Sequence, residues 1–179
     1  MKPKIIKAHM QVAEIYAKLS TARRLQVGAI IVKDDRIISI GYNGMPSGWD
    51  NNCEDKDYMN TDAVGRSNPD EIAKQWPFVE EIQEVDADDG HFVRKRRYRL
   101  KTKPEVLHAE ANAIAKVARS PESAEDSVIF ITHAPCIECA KLVFQSGIRQ
   151  VFYRDNYQSD AGTKFLKQAG VTVNKLEKE

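Results

Sequence analysis

The chain has 179 residues, and 27 Lys and Arg against 26 Asp and Glu leave a formal charge of +1, which excludes the strongly basic field of a general nucleic-acid binder. That length suits one domain with a full core, and no apolar run approaches the ~18 residues of a membrane span. Three cysteines, two of them in CxxC spacing, argue for a metal site and against a disulfide framework.

The start, Met1-Lys2-Pro3-Lys4, leads into an amphipathic stretch and not into the apolar core of a signal peptide, so a cytoplasmic location is expected. From Ile5 to Leu19, apolar side chains at Ile5, Val12, Tyr16 and Leu19 predict a first helix. Val27 to Val32 is continuous and β-branched. The pair Asp34-Asp35 follows, then Arg36 to Tyr42, which predicts a hairpin. A helix is expected from about Pro104 through His108 and Glu110 to Ala118, stopped by Ser120-Pro121. Val128 to Thr132 reads as a buried strand, and a helix from Pro135 or Cys136 runs to near Gly147. A strand over Ile148–Tyr153, a helix over Ala161–Gln168 closed by Gly170, and a strand over Val171–Val173 complete the pattern.

Strands separated by helices should lie parallel, because a parallel pair needs a crossover. The expected fold is therefore α/β: three layers, with a mixed five-stranded sheet flanked by helices. Residues 50–103 show no clear period. They hold an acidic stretch from Glu80 to Asp89 and a basic run over residues 94–101. A structureless loop of that length would be unusual, so an inserted subdomain with short helices, such as Asp70–Trp76, is expected within a single domain spanning 1–179.

Two short segments carry the chemistry. His108-Ala109-Glu110 and Pro135-Cys136-Ile137-Glu138-Cys139 offer one imidazole and two thiolates, three good zinc ligands that leave a fourth tetrahedral position for water. A CxxC that opens a helix projects both sulfurs on one side, and the helix N-terminus favours thiolate. Glu110, two residues past the histidine, is the expected proton carrier. His133, in His-x-x-Cys-x-x-Cys spacing with Cys136 and Cys139, is a competing ligand.

The H-x-E…P-C-x-x-C pattern is the signature of zinc-dependent nucleobase deaminases. The chain resembles deoxycytidylate (dCMP) deaminases over almost its whole length. The matching words are Gln26-Val27-Gly28-Ala29, Gly41-Tyr42-Asn43-Gly44-Met45-Pro46-Ser47-Gly48, His108 to Ile114, Pro135 to Lys141 and Gln145-Ser146-Gly147-Ile148. The resemblance implies a cytidine-deaminase-like fold and hydrolysis of dCMP to dUMP and ammonia. Glu110 would pass a proton from water to ring N3 and a second to the departing amine.

By the same resemblance, Val27 packs against the base, Asn43 bonds the sugar, the Ala109 N–H holds the base carbonyl, and Tyr153 or Tyr157 borders the nucleotide. It further implies a homohexamer, activated by dCTP and inhibited by dTTP with magnesium, through the loop holding Ser20, Arg23 and Arg24 and through Gly44. A structural zinc in some members points to Cys53 and His91, without a four-ligand set.

Competing readings are a cytidine, dCTP, tRNA-adenosine or polynucleotide deaminase, and a zinc-stabilised nucleic-acid-binding module that uses residues 94–101. The near-neutral charge and the acidic stretch beside the basic run weigh against nucleic acid.

Overall fold

The computed structural model describes residues 1–60, 68–85 and 91–177. Two compact units emerge: Met1–Cys53 with Glu105–Glu179, and Glu54–Pro104.

The first unit begins with helix α1 (Pro3–Ala17), strands β1 (Gly28–Lys33) and β2 (Arg36–Tyr42). Asp34 and Asp35 both have positive φ, 51° and 58°, the mirror-image turn whose twist suits a two-residue hairpin. After the second unit come α3 (Ala109–Ala118), β6 (Val128–His133), α4 (Ile137–Gln145), β7 (Gln150–Asp155), α5 (Ala161–Gln168) and β8 (Thr172–Lys175). The sheet order is β2-β1-β6-β7-β8. β1 runs antiparallel to β2 and β6, whereas β6, β7 and β8 are parallel. The expected mixed five-stranded, three-layer α/β fold is therefore found.

Alternation along the strands divides the core. Ala29 and Ile31 of β1, Ile129 and Ile131 of β6 and Val151 of β7 pack under Ala113, Val143 and Leu166 of α3, α4 and α5. On the other face Ile30, Val32, Phe130 and Phe152 meet Met10 and Ala13 of α1.

A histidine is buried there. His9 is 9% exposed, its ring lies 5.3 Å from that of Phe130, and its Nε2 has no hydrogen-bond partner. Burial lowers its pKa, against a smaller upward pull from Asp35. A pKa below the unfolded value means the unfolded chain binds the proton more readily, so stability from His9 is complete above about pH 6.5 and is lost below it. Melting curves from pH 8 to pH 5 should fall more steeply for the wild type than for His9→Leu; parallel curves would contradict this.

Two boundaries differ from the sequence expectation. The helix expected from Pro104 starts at Ala109, because Leu107 is extended and bridged to Gly44. Leu107 N–H donates to Gly44 O at 2.9 Å and Gly44 N–H to Leu107 O at 3.1 Å. His108 is thus the N-cap residue, outside the helix. Likewise Cys136 caps α4, and Pro135 precedes it.

In the second unit the short helix expected over Asp70–Trp76 is found as α2 (Pro69–Gln75). Its other described elements are not the short helices expected but strands β3 (Glu54–Tyr58), β4 (Phe78–Val85) and β5 (His91–Thr102), in an antiparallel sheet β3-β5-β4. The basic run has acidic partners on both sides: from the acidic stretch Glu80 faces Arg96 and Glu81 faces Lys95, and from β3 Asp57 faces Arg99 and Asp55 faces Lys101. Phe78 stacks on Tyr98 and Tyr58 tilts against it across the strands, with Arg96 over Tyr58 and Lys56 over Tyr98. Opposite charges and aromatic pairs replace an apolar period as the pairing signal. Residues 61–67 and 86–90 and the side chain of His91, with the second-zinc expectation placed on it, lie outside the described residues.

Candidate metal centre and active site

The bridge at Gly44–Leu107 ends the extended segment at His108, whose φ and ψ of −76° and 151° turn it out of the helix axis. Cys136 stands in the same position for α4, with φ −67° and ψ 169°. Both segments are therefore helix starts, where N–H groups lack intrahelical partners and favour negative charge. Cys139 N–H donates to Cys136 Sγ at 3.5 Å.

The two starts converge. His108 Nδ1 lies 3.6 Å from Cys136 Sγ and 3.4 Å from Cys139 Sγ, and the three donor atoms fall within 4.8 Å of one another. Zinc–ligand lengths across a tetrahedral ion put sulfur and nitrogen about 3.6 Å apart, so both sulfur–nitrogen separations here suit zinc. Among the described residues it is the one such group of His, Cys, Asp and Glu. His133 stands apart from it, with Nε2 3.9 Å from Asp155 Oδ2.

The electrostatics suit a cation. Contact with Cys139, then with the imidazole, brings the Cys136 thiol down to about 3. The same contact, with burial, pushes the Cys139 thiol up. The hydrogen bond that the imidazole donates to the Cys136 sulfur raises His108. Thiolate is the form that binds metal. Glu110, in the first turn of α3, is 4% exposed, and burial, opposed by its own backbone hydrogen bond and by His108, lifts its carboxyl to about 6. A carboxyl held near neutrality can both accept and give a proton.

Other expected site residues form a frame. Asn43 Oδ1 accepts from Val27 N–H at 2.7 Å and its Nδ2 donates to Leu25 O at 2.8 Å, so Asn43 clamps the approach to β1. Val27 is half-buried against the core beneath α3. Tyr153 and Tyr157 share a cleft of about 490 Å³ with Ala134, Asp160 and Thr163, at the C-terminal ends of parallel strands, where open α/β sheets bind ligands.

The Ser20 hydroxyl accepts from Ala22 N–H, Arg23 donates to Asn52 Oδ1, and Arg24 is exposed. Ala22 and Met45 pack with Cys53 and Val106, which sets that loop beside the residue after Gly44.

Sequence reasoning missed the supports. Asn112, one turn past His108, donates to Tyr42 O, and Lys116 donates to Ile40 O. Thr132 Oγ1 accepts from Gly28 N–H. A lone asparagine in an alanine run was the available signal.

The profile of the cytidine and deoxycytidylate deaminase zinc-binding region matches residues 3–155. The chain belongs to this family. Among members of the deaminase family, deoxycytidylate deaminase of Enterobacteria phage T4 is 33% identical over 95% of this chain and 89% of its own. The Homo sapiens deoxycytidylate deaminase is 31% identical over 93% and 76%. The crystal structure of dCMP deaminase from cyanophage S-TIM5 in complex with dCMP and dUMP superposes with a TM-score of 0.71 at 35% identity, covering 98% of this chain and 99% of that one. No helix among the described residues is long and apolar enough to cross a membrane.

Proposed function

We propose that this chain is a zinc-dependent deaminase that hydrolyses dCMP to dUMP and ammonia, supplying dUMP for dTMP synthesis. The observation that carries the reading is the His108, Cys136 and Cys139 triangle with a buried carboxyl, Glu110, beside it. The choice of dCMP is supported by relatives that bear that name over most of this chain.

Zinc, when bound by His108, Cys136 and Cys139, supplies a water nucleophile acidified toward neutral pH. Glu110 accepts the proton that water releases and delivers it to N3 of cytosine, which makes C4 electrophilic. The oxygen of that water bonds to C4, and Glu110 then carries its remaining proton to the exocyclic amine. Ammonia leaves as the C4–N bond breaks, and the oxygen stays on C4 as the new carbonyl. Such general acid–base help is worth roughly 10²–10⁴ in rate. Ala109 N–H, at the first position of α3, donates to the base carbonyl. Val27 packs the base, Asn43 holds the sugar, and Tyr153 and Tyr157 border the nucleotide.

The proposal extends to regulation: dCTP activates and dTTP inhibits, with magnesium, at a site that uses Ser20, Arg23, Arg24 and Gly44 in a cytoplasmic homohexamer. Its support is the packing of Ala22 beside Met45 and the exposure of both arginines. The whole of 1–179 is read as one deaminase domain carrying an insertion at about 50–103.

Ammonia release from dCMP, deoxycytidine, dCTP and adenosine-containing RNA, each with and without dTTP, tests substrate and regulation together. Turnover of dCMP above the others, suppressed by dTTP, is expected. Preference for RNA, or salt-sensitive oligonucleotide binding without turnover, would replace the proposal.

A further inference from the structure

The backbone that carries the first cysteine is pressed against a helix that supplies no ligand. A Cβ built at Gly162, in the first turn of α5, would sit 2.1 Å from Pro135 O, 2.8 Å from Cys136 O and 2.9 Å from the Cys136 carbonyl carbon. All three are backbone atoms, which cannot swing aside as a side chain can. Glycine is a poor helix residue, disfavoured by its conformational freedom, yet here it stands buried in an eight-residue helix. Close approach, not helix formation, accounts for it.

The same turn is held from two further directions. Ala134 N–H donates to Asp155 O at 2.8 Å, which joins the end of β6 to the end of β7. Ala140 N–H donates to Cys136 O at 2.9 Å, and this same carbonyl faces Gly162. The orientation of Cys136 is thereby set by α5 as much as by α4. Leu166, fully buried one turn further along α5, seats that helix on the sheet.

We infer that Gly162 is a positioning residue for the metal centre: its missing side chain lets α5 fix the Cys136 backbone at the spacing from Cys139 and His108 that a tetrahedral ion requires. The inference rests on the zinc reading above. Groups that orient metal ligands from behind typically change affinity about 10- to 100-fold when altered.

The test compares wild type with Gly162→Ala and Gly170→Ala. Gly170 follows the same helix with φ +81°, and a Cβ built there would meet nothing within 4 Å, so its substitution strains the backbone without touching the CxxC turn. Zinc affinity is measured by chelator competition, the visible spectrum of the cobalt-substituted chain reports ligand geometry, and melting of the metal-free proteins reports stability. Both variants should melt lower. Only Gly162→Ala should lose about 10- to 100-fold in zinc affinity and shift the cobalt bands.

Wild-type affinity and spectrum in Gly162→Ala would overturn the inference. So would an equal loss in Gly170→Ala, which would mark the effect as general destabilisation. If Gly162→Ala does not fold, Leu166→Ala, which lets α5 move, replaces it: altered bands support the inference and unaltered bands overturn it. A wild-type chain that takes up no zinc overturns the underlying reading instead, and is distinguished by that result alone.

Discussion

Glu110→Gln should retain zinc and the fold while ammonia release from dCMP drops about 100- to 10,000-fold. The substitution keeps the size of the side chain and its place in the first turn of α3. Glu110 is buried at 4% exposure, and desolvation holds its carboxyl near 6, so an uncharged amide costs no more to bury than the carboxylate it replaces. What it removes is the group that accepts a proton and hands it on. Zinc content and kcat, measured on the same preparation, separate the two roles. Loss of zinc together with activity would show that Glu110 holds the centre and does not carry protons.

Gly41→Ala should be the most damaging small change outside the reacting groups. A Cβ at Gly41 of β2 would stand 2.1 Å from Ala109 O and 2.7 Å from Ala113 N, inside the backbone of the helix that bears Glu110. Neither atom can move without displacing α3 from the sheet, where Ser39 Oγ also donates to Ala113 O at 2.7 Å. Overpacking of this kind costs about 1–3 kcal/mol. For a chain of this length that lowers the melting temperature by roughly 2–12 °C. Activity should fall further than stability, because a shift of about 1 Å at the reacting groups can cost on the order of 100-fold. An unshifted melting curve with normal turnover would contradict the close packing of β2 on α3.

The parts of the fold legible in the sequence are those where burial imposes a period. β1 and β6 read as continuous apolar runs because both faces are covered, by α1 on one side and by α3, α4 and α5 on the other. The crossover helices then dictated the parallel β6-β7-β8 arrangement. β3, β4 and β5 were illegible for the opposite reason. Their pairing is written in charge, Glu80 opposite Arg96 and Asp57 opposite Arg99, and in the aromatic contacts of Tyr58, Phe78 and Tyr98, and not in an alternation of apolar residues along any one strand.

The donor atoms of the centre were legible from spacing, whereas its scaffolding was not. That His108 caps α3 and does not lie within it follows from the Gly44–Leu107 bridge, a contact between segments some sixty residues apart that leaves no local mark. Gly41 sits in a recognisable word, but its role is fixed by the helix it touches and not by its neighbours in sequence. The commitment of Asn43 to Val27 N–H and Leu25 O is of the same kind.

The most direct test of the central claim is production of dUMP and ammonia from dCMP by the chain as isolated, after removal of its metal with a chelator, and after zinc is restored. One zinc per chain, equal amounts of dUMP and ammonia, loss of turnover on chelation and recovery with zinc are the predicted results. Turnover that persists in the metal-free chain, or a zinc-loaded chain that leaves dCMP unchanged, would contradict it.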